Sequence, residues 1–179
     1  MILGLLGLRC IRWHEKKNRF VSPTNLDFYW ENPVVWAKCS RGCHTIDGEL
    51  IIRRDCSCGI YATLQKQEMF DYMGDSLAIC LLVEALGSHN NSWAHETGFT
   101  AAGVQVIKLV DITKFTRSQI KNEGPEKMEF LVSWQQHVMQ KALEVFKLKV
   151  TDIIPYNLAL EMMKIQWQKV VMESWPLED

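Results

Sequence analysis

The chain has 179 residues, 47% hydrophobic and 23% charged, the balance of a folded protein, which excludes disorder as the reading of the whole. Twenty basic side chains stand against twenty-one acidic ones for a net charge of -1, so no global field draws the chain to nucleic acid or to an anionic bilayer. No window reaches the roughly twenty uncharged apolar residues of a membrane-spanning helix, and the apolar opening is ended by Arg9 and Arg12 without the marks of a signal peptide, so a cytoplasmic protein with reduced thiols and no membrane partner is expected.

In chain order, Leu6 to Trp13 carries β-branched and aromatic residues, Glu15 to Asn18 is a polar turn, and Arg19 to Val21 resumes the extended pattern, which predicts a hairpin. Val34 to Cys39 is the next strand, and Glu49 to Arg53 follows an Asp47-Gly48 turn signal. Cys58 to Ala62 reads as extended, and Thr63 as the N-cap of a short helix through Phe70 that Gly74 closes. Leu77 to Leu86 is almost wholly apolar, which suits a strand buried on both faces, although apolar length alone leaves a buried helix open. With Phe99 to Val110 it predicts an antiparallel hairpin around the polar stretch Ser88 to Gly98.

Beyond a charged linker over 114–126, the period changes. Leu131, Val132, Trp134, Val138, Met139, Ala142, Leu143, Val145 and Phe146 recur at three-to-four spacing, the mark of an amphipathic helix. Leu158, Met162, Ile165 and Met172 form a stripe of a second helix, with Pro155 near its start. The two read as a helical hairpin joined by a short turn, with more apolar surface than it can bury alone.

The chemistry concentrates in Cys39-x3-Cys43-His44-x11-Cys56-x-Cys58, which offers five soft ligands for the four positions of a tetrahedral zinc ion. Cys56 and Cys58 are the leading ligands, with Cys39 and either Cys43 or His44 completing the set. Such a closed site is structural rather than hydrolytic. Buried reduced cysteines, or disulfides in a secreted protein, remain competing readings. No thiol nucleophile is expected, because His44 follows Cys43 directly and side chains of neighbouring strand residues point apart. His89 and His95 flank a polar loop with Trp93 and Glu96 that could serve acid–base work. Two basic stretches, Arg9, Arg12, Lys16, Lys17 and Arg19 beside Trp13 and Phe20, and Lys114, Arg117, Lys121 and Lys127, could contact phosphates. Seven tryptophans are many for this length and suit an interface.

At Cys58-Gly59-Ile60-Tyr61-Ala62 the chain resembles a group of uncharacterised bacterial and phage or mobile-element proteins with a Cys-x-Cys-Gly-Ile-Tyr-Ala core. The likeness runs over about residues 7–110: Leu8 to Trp13, Arg19-Phe20-Val21-Ser22-Pro23, Cys39, His44, Cys56 to Ala62, His89, and Gly98-Phe99-Thr100-Ala101. Cys43, the longer stretch from His44 to Cys56 and an insertion after His89 depart from that pattern. The resemblance implies a metal-stapled β module, supplies no reaction, and favours an adaptor or inhibitor role.

The reading is therefore an α+β protein, with a β-rich, zinc-stapled module over 1–113 and a helical hairpin over 127–179. Its expected function is non-enzymatic protein–protein interaction. A nucleic-acid-binding zinc module is the alternative, and an enzyme using the His89 and His95 loop comes third.

Overall fold

The computed structural model describes residues 4–23, 25–39, 45–46, 49–50, 59–64, 78–90, 98–112 and 125–174. Strand β1 (Leu6–His14) begins a hairpin of the expected kind. A single tight turn over Glu15–Lys17 ends at Asn18, whose φ of 49° is left-handed, a region that asparagine enters more readily than most residues. Strand β2 (Arg19–Val21) then returns antiparallel, with Trp13 opposite Phe20, and β3 (Tyr29–Trp30) continues the ladder.

The apolar run after residue 77 is a strand and not a helix: β8 (Ile79–Asn90) pairs antiparallel with β1 on one side and with β9 (Gly98–Asp111) on the other. Being central, it buries both faces. Ile79, Leu81, Val83 and Ala85 enter one apolar layer, while Ala78, Cys80 and Leu82 enter the other. Register shifts at Leu82/Val83 and at Leu86/His89 interrupt the β8–β9 ladder where an extra residue must be absorbed.

One edge of β9 serves β8, and its other edge serves three short strands in turn. These are β7 (Ile60–Thr63) at Gly98 to Ala101, β4 (Val34–Trp36) at Gly103 to Gln105, and β10 (Ile153–Pro155) at Leu109 to Asp111. Because β7 also meets β1 at Leu8↔Thr63, the ladder β1–β8–β9–β7 closes on itself. Strands β5 (Thr45–Ile46) and β6 (Glu49–Leu50) pair antiparallel as a separate two-stranded sheet, while Asp47 and Gly48 lie outside the described residues. Thr63 closes β7 in the extended state. The helix expected after it, and residues 114–124 of the expected linker, lie outside the described residues.

Helix α1 (Pro125–Phe146) starts on proline, a residue suited to the first turn, where its missing N–H has no partner to lose. Leu131, Gln135, Val138, Ala142 and Phe146 recur at intervals of three and four and are buried; Val138, Ala142 and Phe146 join the layer of Phe20, Trp30, Leu81 and Phe99. Helix α2 (Tyr156–Ser174) buries Tyr156, Ala159 and Met163 in the opposite layer, against Leu8, Cys10, Cys80 and Leu82. The sheet thus carries one helix on each face, an α+β architecture dominated by β structure, as expected from the change of period. The connection between the helices is longer than a turn. A tight turn at Val150–Asp152 leads into β10, which pairs parallel with β9, and the β-branched Ile153 and Ile154 suit a strand whose edge position tolerates Pro155. Lys108 of β9 forms an ion pair with Asp152, and the Lys149 N–H donates to the same carboxylate at 2.8 Å, which fixes this entry.

Candidate functional site

Of the expected zinc ligands, Cys39 is described and half-buried, just past β4, whereas Cys43, His44, Cys56 and Cys58 lie outside the described residues. Among the described residues no three metal-ligating side chains come together. What is described is the scaffold around them. β4 runs down β9 through Val34↔Gln105, Val35↔Val104 and Trp36↔Gly103, and the Ala37 N–H donates to the Ala102 carbonyl at 2.8 Å. β7 takes up the same edge one residue on, with Ile60 opposite Ala101. The chain therefore leaves the sheet two residues before Cys39 and rejoins it two residues after Cys58 at adjacent positions of one strand. Gly59, between Cys58 and β7, has φ 113°, a conformation that side chains bearing a Cβ rarely adopt.

Strand β7 and the beginning of β9 pair with each other. Ile60, Tyr61 and Ala62 lie opposite Ala101, Thr100 and Phe99. Gly98 ends this ladder so close to the Ala62 carbonyl that a Cβ there would stand 2.3 Å from the oxygen. Arg9 braces the same corner. It is buried, its guanidinium donates to the Tyr61 carbonyl at 3.0 Å and to Ser22 Oγ at 2.5 Å, and it lies 6.0 Å from the Trp30 ring. The Ser22-Pro23 step and the Ile60-Tyr61-Ala62 strand are thus tied through one cation, a charge-assisted link from β1 to β7 and to the segment that follows β2.

This arrangement changes the meaning of the first basic stretch. Arg9 is interior, Lys17 pairs with Asp27 at 3.0 Å, and Arg19 pairs with Glu31 at 3.0 Å with its guanidinium 4.8 Å from the Tyr29 ring. The hydrogen bonds to Asp27 and Tyr29 raise the Lys17 pKa above its ordinary value. Phe20 is fully buried, and Trp13 packs edge-on to it at 4.9 Å. Of the second stretch, Lys127 belongs to α1 and the other three residues lie outside the described residues. His89 sits inside β8 opposite Ala101, and His95 lies outside the described residues.

The tryptophans divide differently from the expectation of an exposed set. Trp134 and Trp167 are half-buried against the core, and Trp167 Nε1 donates to the Leu6 carbonyl at 3.2 Å. Among the described tryptophans Trp36 is the exposed one, 45% accessible, its ring lying over Gly103. On α2, Leu158 and Ile165 are 42% and 54% exposed and stand two turns apart on the side away from the sheet, with half-buried Met162 between them. The sequence stripe at 158, 162 and 165 was legible by spacing; which side of the helix the sheet would use was not.

Two cysteines outside the clustered motif had no signal of their own in the sequence. Cys10 and Cys80 stand opposite each other in β1 and β8, both buried. Their meeting depends on the register of strands about seventy residues apart, which no local pattern states. No family model, no curated protein and no solved structure matches the chain.

Proposed function

We propose that the chain is a non-enzymatic protein-interaction module of adaptor or inhibitor type, its β-rich body stapled by a structural zinc ion and the outer face of α2 offered to a partner. The observation that carries the reading is Leu158 and Ile165, large apolar side chains left in solvent on a helix whose opposite side is already anchored by Tyr156, Ala159, Met163 and Trp167. Spacings of four and three through Leu158, Met162 and Ile165 are those with which one helix seats against another. For the zinc, support comes from the neighbouring points at which β4 leaves and β7 joins β9. Covalent length of at most about 3.6 Å per residue tethers both Cys39 and Cys58 to that part of the sheet. Cys56 and Cys58 with Cys39 and either Cys43 or His44 would then supply four soft donors.

The test of the interaction reading is a photo-crosslinking amino acid placed at Ile165 in the full chain. Formation of a defined adduct, with a partner protein or a second copy, that disappears in a Leu158→Glu variant of unchanged circular dichroism supports it. Adducts no different from those of the same probe at exposed Glu144 would end it. For the metal, elemental analysis should find about one zinc per chain, and Cys58→Ser should lower both metal content and melting temperature. Nucleic acid as partner receives less support, since Arg9, Lys17 and Arg19 are engaged within the fold. Steeply salt-dependent binding to DNA or RNA would reinstate it.

A further inference from the structure

The backbone pattern specifies how Cys10 and Cys80 face each other. The Leu5 carbonyl accepts a hydrogen bond from the Ala85 N–H at 2.8 Å, which makes Leu5 and Ala85 a hydrogen-bonded pair. The register then runs without a shift from Leu6↔Glu84 to Ile11↔Ile79. Hydrogen-bonded and non-hydrogen-bonded pairs alternate along an antiparallel ladder, so Gly7↔Val83, Arg9↔Leu81 and Ile11↔Ile79 are of the first kind, and Cys10↔Cys80 is of the second. The Leu6 carbonyl agrees with this count, because it accepts from Trp167 of α2 and so faces away from β8. At non-hydrogen-bonded pairs the Cα atoms stand about 4.5 Å apart and the side chains approach most closely. That spacing lies at the short end of the roughly 4.4–6.8 Å that a disulfide spans, so a bond can form without moving the backbone but under strain.

Both thiols point into the layer covered by α2, with Tyr156, Ala159 and Met163 in the same cluster. We propose that Cys10 and Cys80 are a redox-active cross-strand dithiol, gated by α2, that closes to a strained and readily reduced disulfide when the helix lifts. Burial, reinforced by the neighbouring Cys10 thiol, holds the Cys80 pKa well above its ordinary value. With α2 seated the Cys80 thiol is therefore held protonated, and both sulfurs lie buried away from attack. Once α2 opens, the thiolate of one cysteine attacks a sulfur of a low-molecular-weight disulfide such as oxidised glutathione. The S–S bond of that molecule breaks, one glutathione leaves, and a mixed disulfide forms. The second cysteine attacks the protein sulfur of the mixed disulfide and expels the second glutathione, so two protein thiols lose two electrons and both protons end on the released thiols. A bond at the strained limit belongs with labile, switch-like disulfides rather than structural ones.

The full chain is incubated with oxidised glutathione over a series of urea concentrations below the unfolding midpoint, quenched in acid and mapped by mass spectrometry. The expected product is a Cys10–Cys80 linked peptide lacking two hydrogen atoms, formed faster as urea rises and about tenfold or more faster in Met163→Ala, which loosens α2. Cys10→Ser and Cys80→Ser should each leave a glutathione adduct on the remaining cysteine. Recovery of both cysteines as separate adducts, or as unmodified thiols at every urea concentration, would overturn the dithiol. Equal rates in Met163→Ala and the parent chain would overturn its control by α2.

Discussion

Helices α1 and α2 cover the two faces of one sheet by different means. α1 inserts large side chains: Phe146 is 1% exposed and its ring stands 5.6 Å from that of Phe20, in a layer that also holds Trp30 and Phe99. α2 seats mainly small and flexible groups, Ala159 and Met163, and adds polar fastenings at its far end, where Gln166 Nε2 donates to the Gly4 carbonyl at 2.6 Å and Trp167 Nε1 to that of Leu6. Along α1 the described large apolar residue most exposed is Phe130, in the first turns, whereas α2 keeps Leu158 and Ile165 in solvent along its length. The difference teaches that one helix completes the core, while the other is a cover with an outer face still unused. A cover of that kind can both carry a partner and govern access to what lies beneath it.

The contrast breaks most directly at α1. Phe146→Ala removes a fully buried ring and should cost about 3–5 kcal/mol, read as a fall in the urea midpoint with cooperative loss of the whole fold. Met163→Ala should cost less, near the lower end of the roughly 2–5 kcal/mol range for such truncations, because the site of a flexible thioether collapses more readily than that of a rigid ring. Its signature should also differ. Hydrogen exchange should accelerate in α2 and at the Cys10 and Cys80 amides before it does in α1, and equal acceleration in both helices would remove the distinction between core and cover.

Alkali tests the same face without a substitution. Burial, with the adjacent Cys80 as a lesser cause, holds the Tyr156 pKa up at about 12 against an ordinary 10.0. A group raised in the folded state keeps its proton there after the unfolded chain has lost it, so stability is full below about 10 and declines as pH rises toward about 12. Tyr156→Phe should flatten that decline. The measurement is the urea midpoint of both chains across this range; parallel curves would show that Tyr156 ionises as freely as in the unfolded chain.

Much of this frame was legible because it rests on local pattern. The Leu6 to Val21 hairpin, the pairing of the two apolar runs into β8 and β9, and both helices follow from period and turn chemistry, with ends within a few residues of those expected. What escaped has a common cause. β10 is three residues ending in proline, too short for any periodicity, and its existence depends on the free edge of β9. Arg9 reads as a surface cation until register places Tyr61 and Ser22 around it. The same holds for Cys10 and Cys80, ordinary apolar positions of two strands until the ladder sets them face to face. Of the proposed zinc ligands, spacing alone suggests the set, and the described scaffold adds only where the chain departs from and returns to β9.

The smallest effect should come from the ion pair that fixes the entry to α2. The hydrogen bond from Lys108, with a second from the Lys149 backbone, lowers the Asp152 pKa below its ordinary 3.8. A carboxyl depressed in the folded state contributes stability that is complete above the unfolded value and is lost as pH falls through the folded one, so the contribution disappears only in acid below about 4. Asp152 lies near solvent, and salt screens such pairs, so Asp152→Asn should lower the melting temperature slightly at neutral pH and low ionic strength, and less in high salt. What makes the pair informative is its place. Lys108 lies on β9 and Asp152 immediately before β10, so losing their attraction slackens the parallel β9–β10 ladder that leads directly into Tyr156. Hydrogen exchange at acid pH should therefore quicken at Ile153 and Ile154 and in the first turn of α2 while α1 stays protected. Uniform quickening of both helices would mean that the two faces are held by one cooperative unit and that α2 is not a cover at all.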